Sequence, residues 1–195
     1  TLADARRGGT SGCVETGAFG NEAYILTGYF NIPKVFELTL NNGYDKVSKK
    51  QLGLQLGYAA DFKTYDELFD AFKKQMKYFI DVKIQGSNII EKIFADCMPA
   101  PFLSILTNDC IAKGKDYNAG GARYNTKYLQ GVGIGTITDC LAAVKYNVYD
   151  KKNFTMDELM AALDDNFTGH ERILNLVKNH SPKYGNDDEY ADEIM

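Results

Sequence analysis

The chain has 195 residues, with 22 Lys and Arg against 26 Asp and Glu, a net charge of −4, and 45% hydrophobic residues. Such a composition excludes a disordered or collagen-like chain, and no apolar run is long enough to cross a membrane as a helix. The acidic balance argues against a general nucleic-acid binder, whose affinity comes from Lys and Arg on phosphates.

Residues 1–20 are small and flexible: Gly8-Gly9-Thr10-Ser11-Gly12 leads into Cys13, and Gly17 and Gly20 follow. Residues 21–31 read as a short helix ending before Pro33. Lys34 to Leu40 is rich in β-formers, stops at Asn41-Asn42-Gly43, and reads as a strand. Residues 44–63 read as an exposed polar excursion. Thr64 with Glu67 makes a capping box, and Leu68, Phe69, Phe72, Met76, Phe79 and Ile80 follow at helical spacing. That predicts a helix to about Phe94 with a weak point at Gly86, interrupted by Met98-Pro99-Ala100-Pro101.

Phe102 to Ile111 reads as a helix or a short buried segment, and residues 114–125 as a loop. Thr136 to Tyr146 is predicted helical. Thr155 with Glu158 is a second capping box, opening a helix to about Asp165, and a last helix covers Glu171 to Lys178. Asp192-Glu193-Ile194-Met195 reads as a helix in mid-course, and the chain opens on Thr1 rather than Met, so a piece of a longer protein is expected. Cys13, Cys97, Cys110 and Cys140 contain no CxxC pair, which fits reduced thiols in a cytoplasmic protein.

Cys13 and Glu15 are the sharpest candidates for chemistry. In an extended segment residues two apart project to one side, so both would face one cavity with Val14 turned away. A thiol beside a carboxylate is a poor nucleophile, because the negative charge raises its pKa. Hydrogen-atom chemistry suits the pair better: a sulfur radical needs no thiolate, and the carboxylate moves a proton on the substrate. The alternative is a small buried Cys13 beside a solvated Glu15.

Other motifs are weaker. Gly131-x-Gly133-x-Gly135 imitates a dinucleotide loop, but its third Gly comes one position early and no apolar strand is read before it. Close backbone packing at a helix start is its expected use. Cys140 reads as a small packed residue, Cys97 and Cys110 as core or loop residues, and His170 and His180 as surface residues or caps. Asp187-Asp188-Glu189 with Asp192-Glu193 reads as a solvated charge run, and no metal is expected.

Ser11-Gly12-Cys13-Val14-Glu15-Thr16-Gly17, followed by Glu22-Ala23-Tyr24-Ile25-Leu26-Thr27-Gly28-Tyr29, resembles the cysteine loop of the glycyl radical enzymes, the pyruvate formate-lyase family. Residues 117–125, 131–139 and 182–188 agree with that resemblance. The Gly-Cys-Val-Glu order is similar to the dehydratase and C–N or C–S lyase branches. Formate acetyltransferases carry a second Cys where this chain has Val14. Thr16-Gly17 and Leu26-Thr27-Gly28-Tyr29 look most like the branch that dehydrates hydroxyproline. The branches that cleave choline or dehydrate glycerol usually follow the glutamate with Pro.

The resemblance implies an α/β fold: part of the ten-stranded glycyl radical enzyme barrel with surrounding helices, incomplete in this chain. Residues 1–195 would be a fragment of one catalytic barrel domain, with the glycyl radical C-terminal domain absent. Cys13 would be the thiyl cysteine, Glu15 the acid/base carboxylate, and Tyr29 a wall of the substrate pocket; a half-buried Tyr on a helix is the plain alternative for Tyr29. The implied reaction is radical dehydration: the ring carbon beside nitrogen loses hydrogen, the hydroxyl leaves as water, and a pyrroline carboxylate forms. No cofactor would be bound in this chain. The glycyl radical would lie in the missing region, installed by an S-adenosylmethionine and iron–sulfur activating enzyme. Implied partners are that activase, a small-molecule substrate and, at full length, a second copy in a homodimer; nucleic acid and membrane are not expected. The isolated chain would be inactive, with Phe69, Phe72, Met76, Phe79 and Ile80 as an exposed apolar face. The alternative of another class is a non-catalytic packing module in which the glycine-rich loop is merely structural.

Overall fold

The computed structural model describes residues 1–12 and 15–195, Ser11 by its backbone alone. In chain order the elements are α1 (Leu2–Arg7), β1 (Gly9–Ser11), β2 (Glu15–Gly17), β3 (Glu22–Asn31), α2 (Ile32–Leu40), β4 (Tyr44–Asp45), β5 (Lys50–Gln51), α3 (Tyr65–Cys97), α4 (Pro101–Leu106), α5 (Cys110–Lys113), β6 (Tyr124–Val132), α6 (Ile134–Val144), α7 (Met156–Asp164), α8 (Glu171–Asn179) and α9 (Glu189–Asp192). Among the described residues β1 pairs with β2, β3 with β6, and β4 with β5. This is the mixed α/β content expected. Among those residues no helix is long and apolar enough to cross a membrane. The chain divides into two compact units, residues 1–29 with 82–130 and residues 30–81 with 131–195.

The second unit holds the larger core. Val35, Phe36 and Leu40 of α2 pack with Ile137, Leu141 and Val144 of α6, Leu68 and Phe72 of α3, and Leu159 and Ala162 of α7. The strand expected over 34–40 is therefore a helix. Asn31 accepts a bond from the Lys34 N–H at 3.2 Å and Pro33 sits in the first turn, two start signals that outweigh the β-branched content. Lys34 then reaches across to buried Asp45 at 2.6 Å. The expected exposed face of α3 is also corrected. Phe72 is buried, and Phe69, Met76 and Phe79 pack against the same core.

Both capping boxes form as predicted. Thr64 Oγ1 accepts the Glu67 N–H at 3.2 Å and Glu67 accepts the Thr64 N–H at 3.3 Å. Thr155 Oγ1 accepts the Glu158 N–H at 3.2 Å, with the return bond from Thr155 at 2.6 Å. Gly86 does not interrupt α3, which runs to Cys97. The helix predicted to Tyr146 passes into a π-helical turn at Lys145–Asp150. Buried Asn147 holds that turn by donating to Ala143 O at 2.9 Å and Ser181 Oγ at 2.8 Å. His170 and His180 stand at the two ends of α8, the cap positions read for them.

Gly133 is the N-cap of α6 at φ +89°, and a Cβ there would stand 2.7 Å from the Pro33 ring. That is the close approach expected of this glycine. A strand does precede it, however: β6 ends at Val132, and its Tyr-Asn-Thr-Lys-Tyr-Leu-Gln stretch carries Leu129 as its one aliphatic side chain, too little for an apolar strand signal. The chain's last helix stops at Asp192 rather than continuing to Met195. Asp188 caps it, and Asp192 accepts the Gly185 N–H at 3.2 Å, so part of the acidic run makes local backbone bonds. Cys140, read as packed, is exposed at an apolar cavity of about 560 Å³ lined by Phe36, Leu40 and Met160.

In the first unit, the helix read over 21–31 is strand β3. Gly28 sits at φ +132°, which no helix admits, and Tyr24, Ile25, Thr27 and Tyr29 suit a pleated surface. The segment 102–111 is helical in two short pieces, and the apolar side chains of the first are exposed: Phe102 is 81% exposed and Leu106 76%. Cys110 is buried, while Cys97, at the end of α3, is exposed.

The excursion over 44–63 is less free than its composition suggests. Gln75 of α3 is fully buried, donating to Leu54 O at 2.7 Å and accepting the Leu54 N–H at 2.8 Å. Gln75→Met keeps the volume and leaves both Leu54 groups without partners. We expect a loss of about 1–3 kcal/mol per unsatisfied group. Urea unfolding and limited proteolysis across residues 46–57 check this. An unchanged midpoint with an unchanged cleavage rate would contradict it.

Candidate active-site hairpin

β1 and β2 form an antiparallel hairpin in which Gly9 faces Gly17, Thr10 faces Thr16 and Ser11 faces Glu15. Cys13 and Val14 lie outside the described residues, so the expected sharing of one side by Cys13 and Glu15 falls there as well. Glu15 itself is placed. It is half-buried at the start of β2, and its carboxylate lies over Gly12: a Cβ on Gly12 would meet Glu15 Oε2 at 2.6 Å. Gly12 also adopts φ +68°, a conformation that favours glycine.

Aromatic side chains hold the hairpin from outside. Tyr24 of β3 lies on Gly17: a Cβ at Gly17 would come within 2.1 Å of the Tyr24 hydroxyl and 2.5 Å of its ring. Tyr24 stacks on Tyr128 of β6, with centroids 5.9 Å apart and planes within 13°. The Tyr128 hydroxyl donates to Thr16 O at 2.8 Å. The Tyr24 N–H donates to the Tyr117 hydroxyl at 2.7 Å. Glu22 accepts the Ala18 N–H at 2.9 Å and bonds the Thr126 hydroxyl, tying the turn after β2 to β6.

Burial, then the charge of Glu22, pushes both tyrosine hydroxyls upward, and Glu15 adds to the effect on Tyr128. Both hydroxyls stay protonated at neutral pH. That of Tyr24 is buried with no partner among the described residues.

A second polar cluster fixes the strands beneath. Buried Asp4 accepts from Thr1 Oγ1 at 2.6 Å, Tyr124 Oη at 2.7 Å and Asn21 Nδ2 at 2.6 Å. The Thr1 hydroxyl, then that of Tyr124, holds the Asp4 carboxyl well below the usual carboxylate range. Arg123 beside it grips Asp109 through two bonds at 2.9 and 3.1 Å.

Tyr29 is 67% exposed and stands on a strand, not half-buried on a helix. It is five residues from Tyr24 along β3, a span of about 16 Å in extended backbone. The Tyr29 end of β3 is braced from α3, where Lys83 Nζ donates to Thr27 Oγ1 at 3.2 Å and Ser87 Oγ at 3.1 Å. Tyr24, Tyr117 and Tyr128 were not singled out from spacing. The signal for Tyr24 was Gly17 itself: a glycine inside a paired strand invites an aromatic ring onto the gap. Tyr128 had no such signal, because β6 lacks a hydrophobic alternation. Among the described residues no three His, Cys, Asp or Glu side chains cluster as metal ligands.

Gly17→Ala forces a methyl into the Tyr24 ring. We expect a loss of about 1–3 kcal/mol from overpacking, partly recovered when Tyr24→Ala is added. Thermal unfolding of the single and double variants checks this, and wild-type stability in Gly17→Ala would contradict it.

Residues 1–195 match the family model described as pyruvate formate lyase-like. The chain is 67% identical over 195 residues to the trans-4-hydroxy-L-proline dehydratase of Clostridioides difficile, covering 100% of this chain and 25% of that protein. The crystal structure of the C. difficile hydroxyproline dehydratase with trans-4-hydroxy-L-proline bound matches with a TM-score of 0.96 at 67% identity, over 100% of this chain and 25% of that one. The glycerol-bound B12-independent glycerol dehydratase of Clostridium butyricum matches with a TM-score of 0.89 at 40% identity, over 100% of this chain and 24% of that one. The chain thus spans about a quarter of the length of the curated relatives it matches. With its whole length matched by the family model, the chain belongs to the pyruvate formate lyase-like family.

Proposed function

We propose that residues 1–195 are the reactive-cysteine portion of a glycyl radical dehydratase that converts trans-4-hydroxy-L-proline to a pyrroline carboxylate and water. The observation that carries this is 67% identity to hydroxyproline dehydratase across the whole chain. The fall to 40% against glycerol dehydratase favours the cyclic amino acid over a small diol.

The glycyl radical, held outside this chain and installed by a radical S-adenosylmethionine activase, supplies the stored one-electron oxidant. Within this chain, Cys13, as a thiyl radical that has given up its own S–H hydrogen, takes the hydrogen atom from the ring carbon beside nitrogen and later returns it to the product radical. A thiol suits this because S–H and activated C–H bonds are close in strength, so the transfer runs in both directions. Glu15 moves the proton that must shift as the hydroxyl departs as water. Its place over Gly12 supports this role, since a carboxylate held in one position costs little reorganisation. Tyr29, exposed on β3, lines the substrate pocket once the rest of the barrel surrounds it.

Residues 1–195 form part of one catalytic barrel domain of ten strands. The exposed Phe102, Leu106 and Ile111 support this, as apolar surface that a complete domain covers. The full-length protein is proposed to act as a cytoplasmic, anaerobic homodimer.

In the full-length protein, activated anaerobically, Cys13→Ser should abolish pyrroline carboxylate formation while circular dichroism stays unchanged. Oxygen holds hydrogen more tightly than sulfur, so the serine is not converted to a radical. Substantial turnover in this variant would overturn the assignment. Glu15→Gln should bind substrate normally and lower kcat about 10²-fold or more, the usual scale of a lost acid/base group. A wild-type kcat would make the carboxylate merely structural.

A further inference from the structure

The hairpin that carries Glu15 has little to hold it in place by itself. β2 is three residues long and, among the described residues, pairs only with β1. A two-stranded hairpin of that length is marginal in water. Yet each residue of β2 is met by something. Glu15 lies against Gly12, Thr16 O accepts the Tyr128 hydroxyl, and Gly17 is covered by Tyr24. Of these, the Tyr128 bond is the directional one. It joins residues 112 apart, from a strand that pairs with β3 and not with the hairpin.

We propose that Tyr128 is a positioning residue for Glu15, fixing the carboxylate by holding the Thr16 carbonyl immediately after it in the chain. This rests on the role given to Glu15 above. The bond commits the Tyr128 proton to the backbone, so the hydroxyl steers rather than reacts. Stacking on Tyr24 removes the freedom of the ring, and Tyr24 is in turn seated on Gly17. The two contacts bracket β2 at adjacent residues, which restrains both translation and twist of the strand. Burial and the nearby carboxylates of Glu22 and Glu15 keep the Tyr128 hydroxyl protonated, so it remains a donor across the neutral range. A carboxylate displaced by about 1 Å from its productive place costs on the order of 10²-fold, so even partial slackening is measurable.

The test uses the full-length enzyme, activated anaerobically and assayed with trans-4-hydroxy-L-proline. Tyr128→Phe keeps the ring and its stacking and deletes the donor. It should lower kcat by roughly tenfold, a partial loss of positioning, with KM within about twofold. Melting temperature and glycyl radical content per subunit should match wild type. Replacing Tyr128 by 4-aminophenylalanine, which restores an N–H donor at the same place, should recover most of the rate. A wild-type kcat in Tyr128→Phe, a loss confined to KM, a Phe variant that does not fold, or a loss that the amine fails to rescue would each overturn the proposal. Substantial turnover in Cys13→Ser, or a wild-type kcat in Glu15→Gln, would instead overturn the function on which it rests. A wild-type rate in Tyr128→Phe beside an inactive Cys13→Ser overturns the positioning role alone.

Discussion

The missing side chain of Gly17 is the constraint on which the described part of the site depends. A glycine inside a strand forgoes packing and costs conformational entropy, so a lone Gly17 would weaken a hairpin already too short to stand alone. Here the gap is filled by Tyr24, whose hydroxyl and ring approach closer than any Cβ at Gly17 would permit. Once Tyr24 occupies that space, its ring becomes the platform for Tyr128, and the Tyr128 hydroxyl reaches Thr16. Tyr117 holds the backbone of Tyr24 from the other direction. The short hairpin therefore borrows its rigidity from β3, which follows it closely in the chain, and from β6, whose Tyr128 lies 112 residues beyond Thr16.

How much of this was legible follows from how local each determinant is. The capping boxes at Thr64 and Thr155 were readable because all their atoms lie within four residues, and both formed as written. The segments over 21–31 and 34–40 were read with helix and strand exchanged. Lys34 to Leu40 contains Val, Phe and Thr, but Asn31 and Pro33 start a helix there, and the buried face toward α6 stabilises it. Residues 21–31 read as a short helix stopped before Pro33, while Gly28 at positive φ and a partner strand make them β3. Tertiary partners decide such cases, and the partner strand β6 was itself hidden by its polar sequence.

The site was half legible. Cys13 and Glu15 stood out by spacing, and the structure places Glu15 on β2 with its carboxylate over Gly12. Cys13 lies outside the described residues. Tyr29, whose plain alternative was a half-buried place on a helix, is exposed on strand β3. The supporting tyrosines were out of reach of any local rule. Nothing in the spacing of Tyr24, Tyr117 and Tyr128 says that they converge; only the pairing of β3 with β6 brings two of them to one hairpin.

Buried polar side chains do in the second unit what the tyrosines do in the first. Gln75 satisfies both backbone groups of Leu54, Asn147 ties the π-helical turn to Ser181, and Asp45 pairs with Lys34. Each bond matters less for its net energy, about 1 kcal/mol, than for the penalty its loss leaves on a buried partner. Such bonds select one register among arrangements that apolar packing alone would tolerate. A hydrophobic core of Leu, Phe and Val fixes how much surface is buried; Tyr128 on Thr16 and Gln75 on Leu54 fix which atoms face one another. For the acid/base role proposed for Glu15, the second kind of restraint is the one that counts, and the Tyr128 bond to Thr16 is of that kind.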